Sequence, residues 1–83
     1  MIKYRIEFEK QAQKFIDSRN PDERARLVTA ISKLPDCPNV IKMEGYERRY
    51  RLRVGDYRVI YDKFDDYLVI IVLKIGSRGD VYK

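Results

Sequence analysis

Arginine is the residue type in this sequence whose number and spacing best suit a chemical role. Five arginines and one acid, Asp56, lie between positions 48 and 58, and five positive charges with one negative charge give this stretch a local charge of +4. The five are Arg48, Arg49, Arg51, Arg53 and Arg58. Guanidinium groups stay charged and bind phosphate in a bidentate manner, so the pattern favours an anion-binding surface for an RNA backbone. The alternative is a solvated strand whose basic side chains keep a sheet edge soluble.

Several residue types that hydrolytic enzymes depend on are missing. The sequence has no histidine and one cysteine, Cys37, which excludes Ser–His and Cys–His catalytic pairs. It also lacks a glycine-rich phosphate loop and a spaced set of zinc ligands. Asp62, Asp65 and Asp66 surround a predicted turn, and we interpret them as solvated turn residues rather than as a magnesium site. We therefore expect neither a metal nor a cofactor.

Length and charge limit the classes of protein to which the chain can belong. Its 83 residues are enough for one domain, residues 1–83, and the net charge of +5 favours an anionic partner such as nucleic acid or an acidic protein. The first ten residues are too charged for a signal peptide, and the longest apolar run, residues 68–73, is too short to cross a membrane. A lone cysteine suits a reducing compartment. We expect a cytoplasmic protein without a membrane partner.

The first half of the chain predicts a strand and two helices. Residues 2–8 alternate between apolar and charged types, as in a half-buried strand, and residues 9–18 have the spacing of a short amphipathic helix. A second helix begins where Asn20 can act as the N-cap, with Pro21 at the first position and Glu23 where a capping box needs an acid. Its apolar stripe is formed by Leu27, Val28, Ile31 and Leu34. Residues 35–45 are predicted to form a loop that closes at Gly45.

The second half predicts three strands, at residues 46–54, 57–64 and 67–75. Gly55 and Asp56 suit a two-residue hairpin turn, and Asp65 with Asp66 suits a second tight turn. The last strand is nearly all apolar and is expected to be central and buried on both faces, after which the tail leaves the sheet at position 76. The order β-α-α-β-β-β predicts an α+β fold, with two helices packed on one face of a mainly antiparallel four-stranded sheet.

Alternation along residues 46–54 also predicts which side chains share a face of this sheet. Tyr50, Leu52 and Val54 should point toward the helices, whereas the arginines at positions 49, 51 and 53 should point to the open face. Arg58 lies just across the predicted hairpin. Four tyrosines are predicted to pack in or beside the core, with their hydroxyls at its rim. They are Tyr4, Tyr50, Tyr57 and Tyr61.

Three blocks of sequence now make a family recognisable. They are KMEG at 42–45, RYRLRVGDYRVIY at 49–61 and GSRGDVY at 76–82. In these blocks, and in the predicted order of elements, the chain resembles the RelE/ParE toxin superfamily along its whole length. The resemblance implies the toxin of a type II toxin–antitoxin system, a ribosome-dependent endoribonuclease that cleaves messenger RNA in the ribosomal A site.

The resemblance also implies roles for individual residues. Catalytic roles are implied for Arg58, Arg78 and Tyr82, and RNA-binding roles for Lys42, Arg49, Arg51 and Arg53. Metal is not needed, because the 2′-hydroxyl of RNA is the nucleophile and the protein orients the chain and stabilises the pentavalent dianion. No histidine can transfer the proton, which leaves Tyr82 or an arginine as candidates, both poor bases near neutral pH. The implied partners are a cognate antitoxin, the ribosome and messenger RNA.

Two alternatives remain open from the sequence. The first is a ParE-like toxin that poisons DNA gyrase without nuclease chemistry. The second is a catalytically degenerate binding member of the same fold, because Ser77 and Gly79 stand where relatives often have basic residues.

Overall fold

A computed structural model describes residues 3–77, which form two helices and a five-stranded sheet. In chain order the elements are β1 (Arg5–Phe8), α1 (Lys10–Asp17), α2 (Pro21–Ser32), β2 (Val40–Lys42), β3 (Arg49–Val54), β4 (Tyr57–Phe64) and β5 (Val69–Ser77). The strand order is β1-β5-β4-β3-β2, with β1 parallel to β5 and the other neighbours antiparallel. The predicted α+β class and mainly antiparallel sheet are confirmed. None of the helices in this part of the chain is long and apolar enough to span a membrane.

The strand number was predicted wrongly, because the segment 35–45 contains β2 and is not a loop throughout. Val40 pairs with Leu52, and Lys42 pairs with Tyr50, along the outer side of β3. Three residues are too few for alternation to be recognised, and two prolines precede them. Residues 40–42 therefore form an edge strand because they pair with β3, about ten residues away, and not because of a local sequence pattern.

The two hairpins differ in how well the sequence predicted them. Val54 pairs with Tyr57 across the predicted two-residue turn, where Gly55 has a φ of 59°. The next turn is longer than predicted, because Phe64 pairs with Val69 and leaves residues 65–68 in the loop. Strand β5 also continues through positions 76 and 77, so the chain does not leave the sheet at position 76 as expected.

Helix α2 begins as predicted. The Asn20 side chain accepts a hydrogen bond of 2.9 Å from the backbone N–H of Glu23, and Pro21 is the first helical residue. Its buried residues are Leu27 and Ile31, whereas Val28, predicted in the same stripe, is 45% exposed. The helix therefore contacts the sheet along a narrower stripe than its apolar residues suggested.

One face of the sheet forms the core with the two helices. The core cluster joins α1, α2 and the strands β3, β4 and β5, and its largest buried side chains include Tyr61, Leu27 and Ile31. Tyr57 belongs to the same cluster, and Tyr4 and Tyr50 pack against it, as predicted. Successive residues of a strand point to opposite faces of the sheet. Because both helices pack on this face, every second residue of each strand points to the opposite, open face, and we call the face to which a position points its parity.

Candidate nucleic-acid interface

The open face of the sheet carries a group of positive charges from three neighbouring strands. Arg51 and Arg53 come from β3 and Arg58 from β4, as predicted, and Lys74 joins them from β5. Register places all four on one face: Arg53 is opposite Arg58, Arg51 is opposite Ile60, and Ile60 is opposite Lys74. We call Arg51, Arg53, Arg58 and Lys74 the basic cluster.

Arg58 is the centre of the basic cluster. Directly opposite side chains have Cβ atoms about 4.5–5.5 Å apart, which is the relation of Arg58 to Arg53. Gly76 is its partner on the other side, so Arg51 and Lys74 are both its diagonal neighbours, at about 7–8 Å. Arg58 is therefore surrounded by three cations, and like charges placed this way destabilise a sheet.

No acid within the described part of the chain compensates this charge at three of the four positions. Arg53, Arg58 and Lys74 form no ion pair with any residue between 3 and 77. The Nε atom of Arg58 is buried and makes no hydrogen bond to these residues. A buried donor without an acceptor costs free energy that an anion bound at this position would recover. The charge and the buried donor make this cluster chemically suited to an anion such as phosphate.

Arg49 lies on the same face but is engaged by an acid. Its guanidinium makes a bidentate ion pair with Asp62, with Nε–Oδ1 at 2.9 Å and Nη2–Oδ2 at 3.2 Å. The hydrogen bonds to Asp62 raise the pKa of Arg49. On β1, Arg5 is similarly bound to Glu7, at 2.8 Å. These neutralised pairs border the basic cluster, so its uncompensated charge is confined to one end of the sheet.

Ile60 provides an apolar floor beneath the cluster. It is only 6% exposed, yet it does not belong to the core cluster on the helix side. Its cross-strand neighbours are Arg51 and Lys74, whose long aliphatic stems can cover an apolar residue while their charged ends stay at the surface. Arg51 and Lys74 are both partly buried, which limits the rotamers available to these stems.

The structure separates one predicted RNA-binding residue, Lys42, and one further arginine of the sequence cluster, Arg48, from the basic cluster. Lys42 pairs with Tyr50, which stacks on Tyr61 in the helix-facing layer, so Lys42 has the opposite parity and points away from the basic cluster. Arg48 stacks its guanidinium over the ring of Phe64 at 5.1 Å.

The two remaining predicted site residues, Arg78 and Tyr82, lie outside the described residues.

Lys74 is the member of the cluster that sequence reasoning missed. It is the one charged residue of β5, a strand whose apolar composition dominates its sequence pattern. A charge that interrupts such a run was the available signal. Alternation could not predict the face to which Lys74 points, because the register of β5 shifts between Lys74, the partner of Ile60, and Val72, the partner of Tyr61.

The other groups with shifted pKa values lie away from the cluster. Burial raises the pKa of Tyr61 and of Cys37, which both belong to the helix side of the sheet. A hydrogen bond to Asp65 raises the pKa of Tyr4. These groups hold their protons more firmly than usual, so none of them is prepared to act as a base near neutral pH. The described part of the interface is therefore suited to charge stabilisation and binding.

Within residues 3–77 no three acidic or cysteine side chains are grouped to hold a metal ion.

Comparisons with known proteins agree on one family. The family model described as the ParE toxin of the type II toxin–antitoxin system parDE matches residues 2–82. A relative named as toxin RelE1, from Methanocaldococcus jannaschii, is 27% identical, and the match covers 99% of this chain and 98% of the relative.

Solved structures extend this agreement to three dimensions. The archaeal RelE–RelB complex from Pyrococcus horikoshii OT3 contains a chain that is 35% identical, with a TM-score of 0.76 and coverage of 96% of this chain and 99% of that one. The RelB–RelE antitoxin–toxin complex from Methanococcus jannaschii gives 26% identity and a TM-score of 0.74, with coverage of 92% and 94%.

Proposed function

This chain belongs to the RelE/ParE superfamily of toxins from type II toxin–antitoxin systems, and from that membership we propose that it is a ribosome-dependent endoribonuclease. It cleaves messenger RNA in the ribosomal A site. The observation that carries the proposal is the position of Arg58, whose Nε is buried and makes no hydrogen bond within residues 3–77, among three cations on one sheet face. Such a site attracts a phosphate group and strengthens its interactions as negative charge accumulates.

The reaction uses a nucleophile that RNA supplies. The 2′-oxygen attacks the adjacent phosphorus and loses its proton, and the phosphorus becomes pentavalent with two negative charges on its nonbridging oxygens. The bond from phosphorus to the 5′-oxygen then breaks, and that oxygen takes up a proton. The products are a 2′,3′-cyclic phosphate and a 5′-hydroxyl, so no water or metal is consumed or required by the balance of the step.

Within this reaction the arginines divide into two groups. Arg58 and Arg78 stabilise the charge on the pentavalent phosphorus, whereas Arg51 and Arg53 hold neighbouring phosphates and keep the 2′-oxygen in line with the leaving group. Tyr82 stacks on a base and orients it, and proton transfer is a lesser role for its phenol. Arg49 contributes to RNA binding at the periphery of this site if RNA displaces Asp62, whereas Lys42 lies on the other face of the sheet and has no role in this group of contacts.

The decisive experiment compares cleavage on ribosomes with toxicity in cells. Expression of the chain without a partner should stop growth, and primer-extension mapping on translating ribosomes should show A-site cuts. Arg78→Ala should relieve toxicity and abolish the cuts while the circular dichroism spectrum and Tm stay unchanged. Intact messages in arrested cells would contradict the proposal.

A DNA gyrase poison is the second candidate, because the family model that matches is the one described for the ParE toxin of parDE. Such a toxin would inhibit supercoiling and leave messages intact, and it would not need Arg58 as a phosphate ligand. Purified gyrase assayed with and without the chain separates the two activities. Loss of supercoiling together with uncut messages would establish the gyrase activity in place of the nuclease.

A cognate antitoxin is the proposed protein partner. The similar chains from Pyrococcus horikoshii and Methanococcus jannaschii were solved in complexes named RelE–RelB. The net charge of +5 favours an acidic or amphipathic antitoxin segment. Co-expression of the toxin with the adjacent small reading frame should restore growth and yield a complex on size-exclusion chromatography. Failure of every neighbouring frame to restore growth would contradict this partner.

A further inference from the structure

Lys74 occupies a position where packing gives no reason for a charge. On the same strand and the same face, Val69 and Ile71 are partly buried apolar residues. Strand β5 therefore covers its open face with apolar side chains elsewhere. Lys74 instead adds a fourth cation beside Arg58, which costs stability when the face is empty. A residue that opposes stability at a charged surface is a candidate for function.

A β-bulge places Lys74 on this face. Ile60 pairs with Lys74 and the next residue, Tyr61, pairs with Val72, so Leu73 is an extra residue in β5. Strict alternation from Ile70 and Val72 would direct position 74 into the core between sheet and helices. The extra residue reverses the parity, and the lysine points to the open face. Bulges are enriched beside functional sites because they redirect a side chain in this manner.

We propose that Lys74 is a further RNA-binding residue, whose ammonium group contacts the phosphate next to the one held by Arg58. The inference rests on the proposed function of the basic cluster as the RNA-binding face. Lys74 forms no ion pair among residues 3–77, so its charge is available to a ligand. Because Lys74 is a diagonal neighbour of Arg58, the two long side chains can reach successive phosphates of one RNA strand. The line of phosphate contacts thereby extends from β3 across β4 to β5.

Salt dependence of RNA binding tests this contact directly. Each phosphate contact on a single strand contributes a slope of about 0.7 to the fall of log K with log salt concentration. Lys74→Met removes the charge and keeps an aliphatic side chain over Ile60. Between 50 and 200 mM salt, the affinity of the unchanged chain should therefore fall about 2.6-fold more than that of Lys74→Met. The probe is a fluorescein-labelled single-stranded RNA oligonucleotide, followed by anisotropy with the full chain.

Three further variants make the outcome specific. Lys74→Arg should restore the slope, because a guanidinium also binds phosphate. Lys33→Met removes the same charge from the exposed end of α2, on the helix side, and should leave the slope unchanged. Arg58→Met should lower it. Thermal melting verifies folding, and Lys74→Gln replaces Lys74→Met in the comparison if the latter melts early.

Each result has one meaning. If Arg58→Met lowers the slope but neither Lys74→Met nor Lys74→Gln does, the inference about Lys74 is wrong and the proposed RNA-binding face stands. If Arg58→Met also leaves the slope unchanged, the proposed face itself is wrong. If Lys33→Met lowers the slope as much as Lys74→Met, net charge explains the effect and Lys74 has no special contact.

Discussion

Replacing Arg58 with methionine should stabilise this protein while it strongly reduces the rate of cleavage. Arg58 is surrounded by three cations and forms no ion pair within residues 3–77. At about 7 Å in water, each like-charge pair costs about 0.6 kcal/mol, and 0.1 M salt reduces it by roughly half. Together the three repulsions amount to about 1 kcal/mol, which corresponds to a rise in Tm of about 4–8 °C for a domain of this size.

Arg49→Met is the matched control, because the same substitution on the same face should have the opposite effect on stability. Asp62 would lose its bidentate partner while it remains only 15% exposed at its side chain. Loss of a hydrogen-bonded charge partner costs about 1–3 kcal/mol, so the free energy of unfolding should fall. Cleavage by Arg49→Met should fall far less than cleavage by Arg58→Met, because Arg49 contributes only to RNA binding at the periphery of the site. Arg58→Met should lower the cleavage rate by about 10²–10³, as for removal of a donor that stabilises a developing oxyanion.

Urea denaturation at 20 mM and 500 mM salt, together with single-turnover cleavage on ribosomes, measures both effects. The stabilisation by Arg58→Met should be larger at low salt and nearly disappear at high salt, because repulsion is screened. A loss of stability in Arg58→Met at both salt concentrations would show that the arginine supports the fold. The account of an uncompensated phosphate site would then be refuted.

Four further expectations follow from the core, a helix cap, a buried phenol and the terminal tyrosine. Leu27→Ala removes a side chain with no exposed surface and should lower the free energy of unfolding by about 2–5 kcal/mol in urea; a loss below 1 kcal/mol would contradict its place in the core. Asn20→Ala should cost about 1 kcal/mol in the same assay, since the side chain caps α2, and no loss would show that the cap is dispensable. Burial raises the pKa of Tyr61 in the folded protein, whereas its phenol in the unfolded chain ionises near pH 10, so the free energy of unfolding should be unaffected below about pH 10 and should fall as pH rises further. In thermal melts, Tyr61→Phe should reduce this fall in stability at alkaline pH. An unchanged pH profile would refute the role of the Tyr61 phenol. Tyr82→Phe should retain much of the ribosomal cleavage rate and Tyr82→Ala should lose most of it, whereas equal severe losses would show that the hydroxyl is essential.

Features fixed by neighbouring residues could be predicted from the sequence. Asn20 and Pro21 defined the start of α2, and Gly55 with Asp56 defined the two-residue turn, because capping and turn geometry depend on a few adjacent residues. Alternation along β3 correctly placed its arginines on the other face of the sheet from Leu52 and Val54, since successive side chains of a regular strand point to opposite faces.

Charge partners could not be predicted in the same way. Arg49, Arg51 and Arg53 are equivalent in the sequence pattern, yet Arg49 is opposite an acid from the far end of β4, Asp62, whereas Arg53 is opposite Arg58. Lys42 is the first residue of the KMEG block that carried the family resemblance, but its pairing with Tyr50 places it on the other face of the sheet. Which charges are compensated depends on register between strands, and register joins residues that are distant in sequence.

The α+β class, the first turn of α2, the hairpin and the face of the β3 arginines could be inferred from local patterns, because each depends on local propensity or on unbroken alternation. Three features depend instead on contacts between distant segments: β2 is a strand, β1 lies beside β5, and Lys74 joins Arg58 on the open face. The reason in the last case is one extra residue, Leu73, which reverses the parity of β5. A bulge exists only between two paired strands, so its position and its consequence for Lys74 follow from the pairing of β5 with β4.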